Sequence, residues 1–193
     1  GRMGAAMAEE ALRRGAEVRY VRGTDKGVVR PSPPRGSAGR LTVVEVRTAE
    51  DMAEAALGFL PDVDGVIATA AVMDYRVATP AASKLKRAAE ATSLDMVPSI
   101  DVLGTLRAAA TGQWFLGFAA ETDDVEANGR KKLAGKKLDF LFANPVARAG
   151  ETSATGFSVP TNGGTLLRAE GEDVTLPVTS KSELAKRIWD IIA

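Results

Sequence analysis

A chain with no His and no Cys must do its chemistry with carboxylates, lysines, arginines, amides and backbone. The commonest general base, the thiolate nucleophile and the usual zinc ligands are all missing. The groups that remain gather where apolar runs end. Val66 to Val72 is such a run, and it breaks into Asp74, Tyr75 and Arg76, with Lys84 and Lys86 just beyond. Trp114 to Ala120 is a second run and stops at Glu121; Leu138 to Ala143 is a third and stops at Asn144. Lys132 and Lys136 are spaced by one helical turn, so their ammonium groups share a face and could grip successive phosphates, or simply form a solvated cationic face. Asp74 could hold a sugar hydroxyl, a base amine or a metal-bound phosphate, or make a surface ion pair with Lys84. Phe118 could pack in the core or stack on a base. If the three runs are parallel strands, all these residues fall on one rim. That rim suits an anionic nucleotide, and its chemistry would be charge stabilisation of phosphoryl or nucleotidyl transfer with Lys and Mg²⁺.

The elements that would position these residues follow from periodicity. Met3, Met7, Ala8, Ala11 and Leu12 form one stripe of a helix over residues 2 to 14, stopped by Gly15. A strand over Ala16 to Val21 and a Pro-, Gly- and Ser-rich surface loop lead to strand Leu41 to Val46. Thr48 and Asp51 form a capping-box pattern before the stripe Met52, Ala55, Ala56 and Phe59, and Pro61 closes that helix. Thr92 to Val97 reads as a short strand. Ser99 is expected to cap a helix carrying Ile100, Leu103, Leu106 and Ala110, and Asp123 and Asp124 to lie in the first turn of the helix that ends with Lys131, Lys132, Lys136 and Lys137. Thr161 to Gly164 and Gly171 to Asp173 read as turns between short strands, and Ser180 with Glu183 caps a last helix.

Strands alternating with helices predict an α/β fold, a Rossmann-like, doubly wound and mostly parallel sheet with an antiparallel C-terminal extension. Residues 1–193 read as a single domain. A helix introduced by Gly1 and Gly4 normally follows the first strand of a nucleotide-binding βαβ unit, so that strand is expected upstream of residue 1. Net charge is zero over 193 residues and 45% of them are hydrophobic, which argues for a globular core and against nucleic acid as the main partner. No apolar stretch is long enough to span a bilayer, and the lack of Cys fits a cytoplasmic setting.

The blocks GRMGAAMAEEALRRGAEV, AAVMDYR followed by KLKR, GFAAETDD, KKLAGKKLDFLFAN, and GF before TNGG are similar, in order and spacing, to the bacterial phosphopantothenate–cysteine ligase domain. That domain is the C-terminal half of the bifunctional coenzyme A biosynthesis flavoprotein. The resemblance implies a two-step, CTP-dependent reaction with Mg²⁺. The carboxylate of 4′-phosphopantothenate attacks the α-phosphate of CTP, releasing pyrophosphate, and the amine of cysteine then displaces CMP from the acyl-cytidylate. By motif, Ala68, Thr69 and Ala70 match the segment that meets the nucleotide, and Asp74 the aspartate that recognises it. Lys84 matches the lysine associated with forming the acyl-cytidylate. Ile100, Asp101, Val102, Leu103, Phe118, Lys132 and Lys136 match further CTP contacts; no metal ligands are assigned. The resemblance also implies a homodimer, for which the segment Thr161 to Val178 is nominated as the contact, and an upstream FMN-dependent decarboxylase half that this chain does not contain.

The sequence departs from the family pattern at Met73, where Ala is usual, at KLKR for Lys-Ile-Lys-Lys, and at Ser99-Ile100-Asp101 for Asn-Pro-Asp. The family's Asn for the second half-reaction would stand upstream of Gly1. Two other readings compete: an NAD(P)-binding Rossmann oxidoreductase, which needs an acid where Arg22 and Gly23 stand, and a non-catalytic nucleotide-binding module.

Overall fold

The structure is a computed structural model and describes residues 1–24, 30–33, 35–36, 39–81, 83–84, 93–147, 154–156 and 159–193. Lys86, Thr92, Phe157 and parts of the loop between residues 24 and 39 lie outside the described residues. The elements in chain order are α1 (Arg2–Arg13), β1 (Val18–Gly23), β2 (Leu41–Val46), α2 (Ala49–Phe59), a 3₁₀ turn (Leu60–Asp62), β3 (Gly65–Ala68), β4 (Tyr75–Val77) and β5 (Met96–Pro98). They continue with α3 (Val102–Ala109), β6 (Trp114–Glu121), α4 (Val125–Gly135), β7 (Phe140–Pro145), β8 (Thr161–Arg168), β9 (Val174–Ser180) and α5 (Lys181–Ile192).

The central sheet has the order β3-β6-β7-β8-β9, parallel across β3, β6 and β7 and antiparallel across β8 and β9. Parallel strands need covering on both faces, and β6 shows how. Phe115 and Ala119 face a cluster with Leu106, Leu133 and Leu141 beneath α2, α3 and α4. Leu116 faces the opposite cluster with Phe142, Leu166, Leu184 and Ile188, beneath α1 and α5. The alternation of one strand thus builds two cores, which is the expected three-layer α/β architecture with its antiparallel extension. Trp189 of α5 donates its indole N–H to the Met7 carbonyl at 3.0 Å, and Arg14 pairs with Asp190 at 2.5 Å, so α1 and α5 hold each other on one face.

β1 and β2 form a separate parallel pair. Among the described residues, β1 has no second neighbour, and β3 pairs only with β6. Gly4 shows what spans the interval: a Cβ there would lie 2.6 Å from Thr69 Oγ1 and 3.3 Å from the Tyr20 hydroxyl. Only a glycine lets the start of α1 sit between the end of β3 and the face of β1.

Several boundaries differ from expectation, each for a local reason. β3 stops at Ala68 rather than Val72, because its pairing with β6 ends at Ala68↔Gly117. Tyr75–Val77, expected as loop, is a strand paired antiparallel with Met96–Pro98. α3 is capped by Asp101, not Ser99: the Asp101 carboxylate accepts the Gly104 N–H at 3.1 Å. Asp123 and Asp124 precede α4, and Asp124 is its N-cap in the left-handed region at φ 43, which Asp tolerates better than most residues. α4 ends at Gly135, with Lys136 as its C-cap. Asn144 lies inside β7 and is buried. Thr161 to Gly164 is the start of β8 and not a turn, since the ladder to β9 supplies its backbone partners.

Candidate functional site

In a sheet of this kind the helix that follows a parallel strand starts at that strand's carboxyl edge, and ligands bind there. The starts of α3 and α4 therefore lie on the rim where β3 ends at Ala68 and β6 at Glu121. β9 runs parallel to β7 after two antiparallel steps, so α5 also begins on that side. Each helix start presents backbone N–H groups that are not bonded within the helix, together with the positive end of its dipole. A rim built from such ends favours an anion.

Ala68 is the last residue of β3, Thr69 lies against Gly4, and Ala70 is exposed. Asp74 is exposed just before β4, and its carbonyl accepts the Ser99 N–H at 2.8 Å. Lys84 is exposed, and no ion pair joins it to Asp74. Arg76 turns away to Glu50 of α2 at 3.1 Å, tying the β4–β5 hairpin to the layer beside it. Ile100 and Leu103 pack against the core cluster, and Val102 is buried in it. A ligand at this turn would therefore meet mainly backbone.

Asp101 is doubly committed. Its Oδ1 receives both the Gly104 N–H and Lys136 Nζ, the latter at 2.8 Å. Partial burial pushes its pKa up, but the Lys136 ammonium and the Gly104 N–H outweigh this and hold it below the ordinary carboxylate value. Lys132 does not share that partner. Its Nζ lies 2.6 Å from Glu121 Oε1. Both lysines thus meet carboxylates, at two different points on the α3–α4 face. Phe118 is on the other face, 5.5 Å from Phe142 between ring centroids and packed with the α1–α5 core.

An open groove of about 690 Å³ runs between α3 and α4, lined by Asp101, Gly104, Arg107, Trp114, Lys136 and Asp139. Asp101 caps the start of α3, whereas Lys136 is the C-cap at the far end of α4 and meets Asp101 through its side chain. Trp114 and Asp139 lie at the amino ends of β6 and β7, where this fold class does not place its ligands.

Two residues the sequence left unassigned also stand on the rim. Glu121 was legible as the first charged residue after an apolar run; its pairing with Lys132 was not. Lys181, at the start of α5, is buried and donates to the carbonyls of Gly156 at 2.9 Å and Val159 at 2.7 Å. Burial first, then the nearby Arg2 charge, lowers its pKa below the lysine norm. Arg22 and Gly23 end β1 where a dinucleotide site of the NAD type wants an acid, and Arg22 itself lies 3.9 Å from Glu45.

Residues 1–193 match throughout the family model described as the DNA/pantothenate metabolism flavoprotein C-terminal domain. The chain belongs to this family. It is 37% identical over 193 residues to the coenzyme A biosynthesis bifunctional protein CoaBC of Bacillus subtilis (strain 168), an alignment covering 100% of this chain and 45% of that protein. Against the protein of the same name from Mycolicibacterium smegmatis it is 39% identical over 204 residues, covering 100% of the chain and 46% of the relative. The chain thus spans about half the length of these relatives. A solved structure of the C-terminal domain of CoaBC superposes with a TM-score of 0.76 at 32% identity, covering 100% of this chain and 81% of that one. The DNA/pantothenate metabolism flavoprotein from Streptococcus pneumoniae shares the fold, with a TM-score of 0.74 at 18% identity over 98% of this chain and 86% of that one. The family resemblance drawn from the sequence blocks and the expected fold class are both borne out.

Proposed function

We propose that this domain acts in coenzyme A biosynthesis as a phosphopantothenate–cysteine ligase that uses CTP. Three things support the reading: membership of the family, relatives named for that pathway, and a rim of helix starts with Lys132 beside Glu121 and with Lys136 reaching Asp101 at the start of α3. The rim carries the argument, because an acyl-nucleotidylate mechanism asks for an anion cradle rather than a general base, and the chain has no His or Cys to offer.

In this reading Ala68, Thr69, Ala70 and Asp74 meet the nucleoside end of CTP, and the backbone from Ile100 to Leu103 lines the same end. Lys132 and Lys136 leave their carboxylates to hold phosphates. Lys84 offsets the charge that develops as the 4′-phosphopantothenate carboxylate attacks the α-phosphate. Pyrophosphate leaves, and the mixed anhydride then supplies the leaving group that attack by the cysteine amine needs. Among the described residues no group of three or more acids could hold a metal ion. Mg²⁺ typically keeps its waters and binds through substrate phosphates with one or two carboxylates, so it belongs here to the incoming nucleotide.

The same reading extends to the rest of the molecule. Residues before Gly1 supply a strand between β1 and β3, whose facing edges have no partner among the described residues. They also supply the family Asn of the second half-reaction. Further upstream lies a fused FMN-dependent decarboxylase, and the protein works as a cytoplasmic homodimer. Within the nominated contact segment, β8 pairs with β7 over Thr165–Arg168 and with β9 over Thr161–Leu166, and the outer edge of β9 is open among the described residues. Among the described residues the exposed large apolar side chains are Val178 of β9, inside that segment, and Met73, Tyr75, Leu94 and Met96, on and beside the β4–β5 pair. No helix among the described residues is long and apolar enough to cross a membrane.

The test is pyrophosphate release by the full-length protein that depends on both CTP and cysteine. Lys84→Ala is expected to lower acyl-cytidylate formation roughly 100-fold or more while leaving the melting temperature unchanged, since the side chain is exposed. Normal acyl-cytidylate formation by that variant would remove Lys84 from the mechanism.

A further inference from the structure

Glu121 is a carboxylate in the middle of a rim that otherwise favours anions. It ends β6, level with Pro145 of β7. Its side chain is only 14% exposed, whereas that of Lys132 is 51% exposed. The 2.6 Å contact between them is a charge contact rather than an aligned hydrogen bond, and the buried Oε1 meets no donor in hydrogen-bonding geometry. A mostly buried acid therefore depends on a lysine that stands half in water and is free to move toward solvent. The second pair is built differently. Asp101 and Lys136 are 56% and 38% exposed, and Asp101 keeps the Gly104 N–H whether or not Lys136 stays.

We propose that Glu121 is a positioning residue that competes with phosphate for Lys132. It holds the ammonium on the rim when no ligand is bound, and polyphosphate capture exchanges carboxylate for phosphoryl oxygen. The proposal rests on the reading that this rim takes an anionic nucleotide. Its consequence is selectivity by charge. Drawing Lys132 away leaves Glu121 buried and uncompensated, and Glu121 also repels the ligand directly. A nucleoside triphosphate that brings its own cation to replace the lysine offsets both effects. A monophosphate does not. Glu121 thus favours a nucleoside triphosphate over the monophosphate that remains after its pyrophosphate has left, and helps clear the site between turnovers.

The experiment is calorimetric titration of the full-length protein with CTP, CMP and inorganic tripolyphosphate, for the native chain, Glu121→Gln, Lys132→Met and the double variant. Glu121→Gln keeps the shape and removes the charge. It is expected to bind metal-free tripolyphosphate and CMP roughly 3- to 10-fold tighter, as for loss of one close ionic competitor, with a smaller gain for CTP titrated with Mg²⁺, so that the ratio between CTP and CMP affinities narrows. A merely structural role would not tighten binding. In the Lys132→Met background the gain is expected to vanish. Tripolyphosphate binding that is unchanged or weaker in Glu121→Gln overturns the proposal, and so does a gain of equal size without Lys132, or no tripolyphosphate binding by any form. Should the Gln variant fail to fold, Glu121→Asp shortens the reach to Lys132 and is judged by the same gain. Tripolyphosphate carries no cytosine, so this series can succeed even where CTP- and cysteine-dependent pyrophosphate release fails. The nucleotide reading would then fall alone.

Discussion

β7 and β3 are parallel strands of the same sheet, yet their surroundings are opposite. β7 is hydrogen-bonded to β6 on one side and β8 on the other, and Leu141, Phe142, Ala143 and Asn144 are all buried. β3 is bonded on one side only, and none of its four residues is buried although all are apolar or Gly. An apolar strand belongs in the middle of a parallel sheet, covered on both faces and paired on both edges. β3 has the composition of a central strand and the position of an edge among the described residues. β1, intermediate in exposure along its whole length, mirrors it. Among the described residues the facing edges of β1 and β3 are both open, and that is where the proposed upstream strand would pair.

The sharpest break of this comparison is in β7. Phe142 is fully buried between Leu116 and Leu166, so Phe142→Ala is expected to cost about 3–5 kcal/mol in chemical denaturation. Ile67 of β3 packs on the same cluster but only partly buried, and Ile67→Ala is expected to cost less, about 1–2 kcal/mol. If the proposed upstream strand pairs with β3, that cost is expected to be larger in the full-length protein than in residues 1–193 alone. Equal losses in the two forms would mean that the edge of β3 is already satisfied.

The smallest effect concerns α3, in the crossover that carries the chain from β3 to β6. Asp101 has a folded pKa below its ordinary value of 3.8. A lowered carboxylate pKa adds stability that is complete above the unfolded value and disappears as pH falls through the folded one. Asp101→Asn keeps a good N-cap and loses the charge. Its unfolding curve should therefore match that of the native chain below the folded pKa and fall slightly short of it above pH 4, by a small amount because the pair with Lys136 is exposed. An identical pH dependence in both proteins would show that Lys136 does not stabilise Asp101.

Local signals were the most legible. The Thr48–Asp51 capping box is formed in both directions, Ser180 receives the Glu183 N–H, and Gly15 stops α1 at φ 87. Each is decided within a few residues, by one side chain and the adjacent backbone. Signals that need a partner strand misled. The TNGG segment reads as a turn but lies in a ladder, and the run past Ala68 reads as strand but loses its neighbour. On the rim, the sequence singled out Lys132, Lys136 and Asp101 and marked Glu121 as the end of a run, but not which acid holds which lysine, because those pairs form only through the packing of α3 and α4 on β6.

By itself, then, the order of apolar runs and the want of His and Cys determined an α/β rim whose chemistry must be electrostatic, and the motif blocks determined the family. Tertiary structure alone decided which charges face each other on that rim. Helical spacing fixes only which side chains share a face; which carboxylate each lysine meets depends on where neighbouring strands end and at what height the helices pack against them.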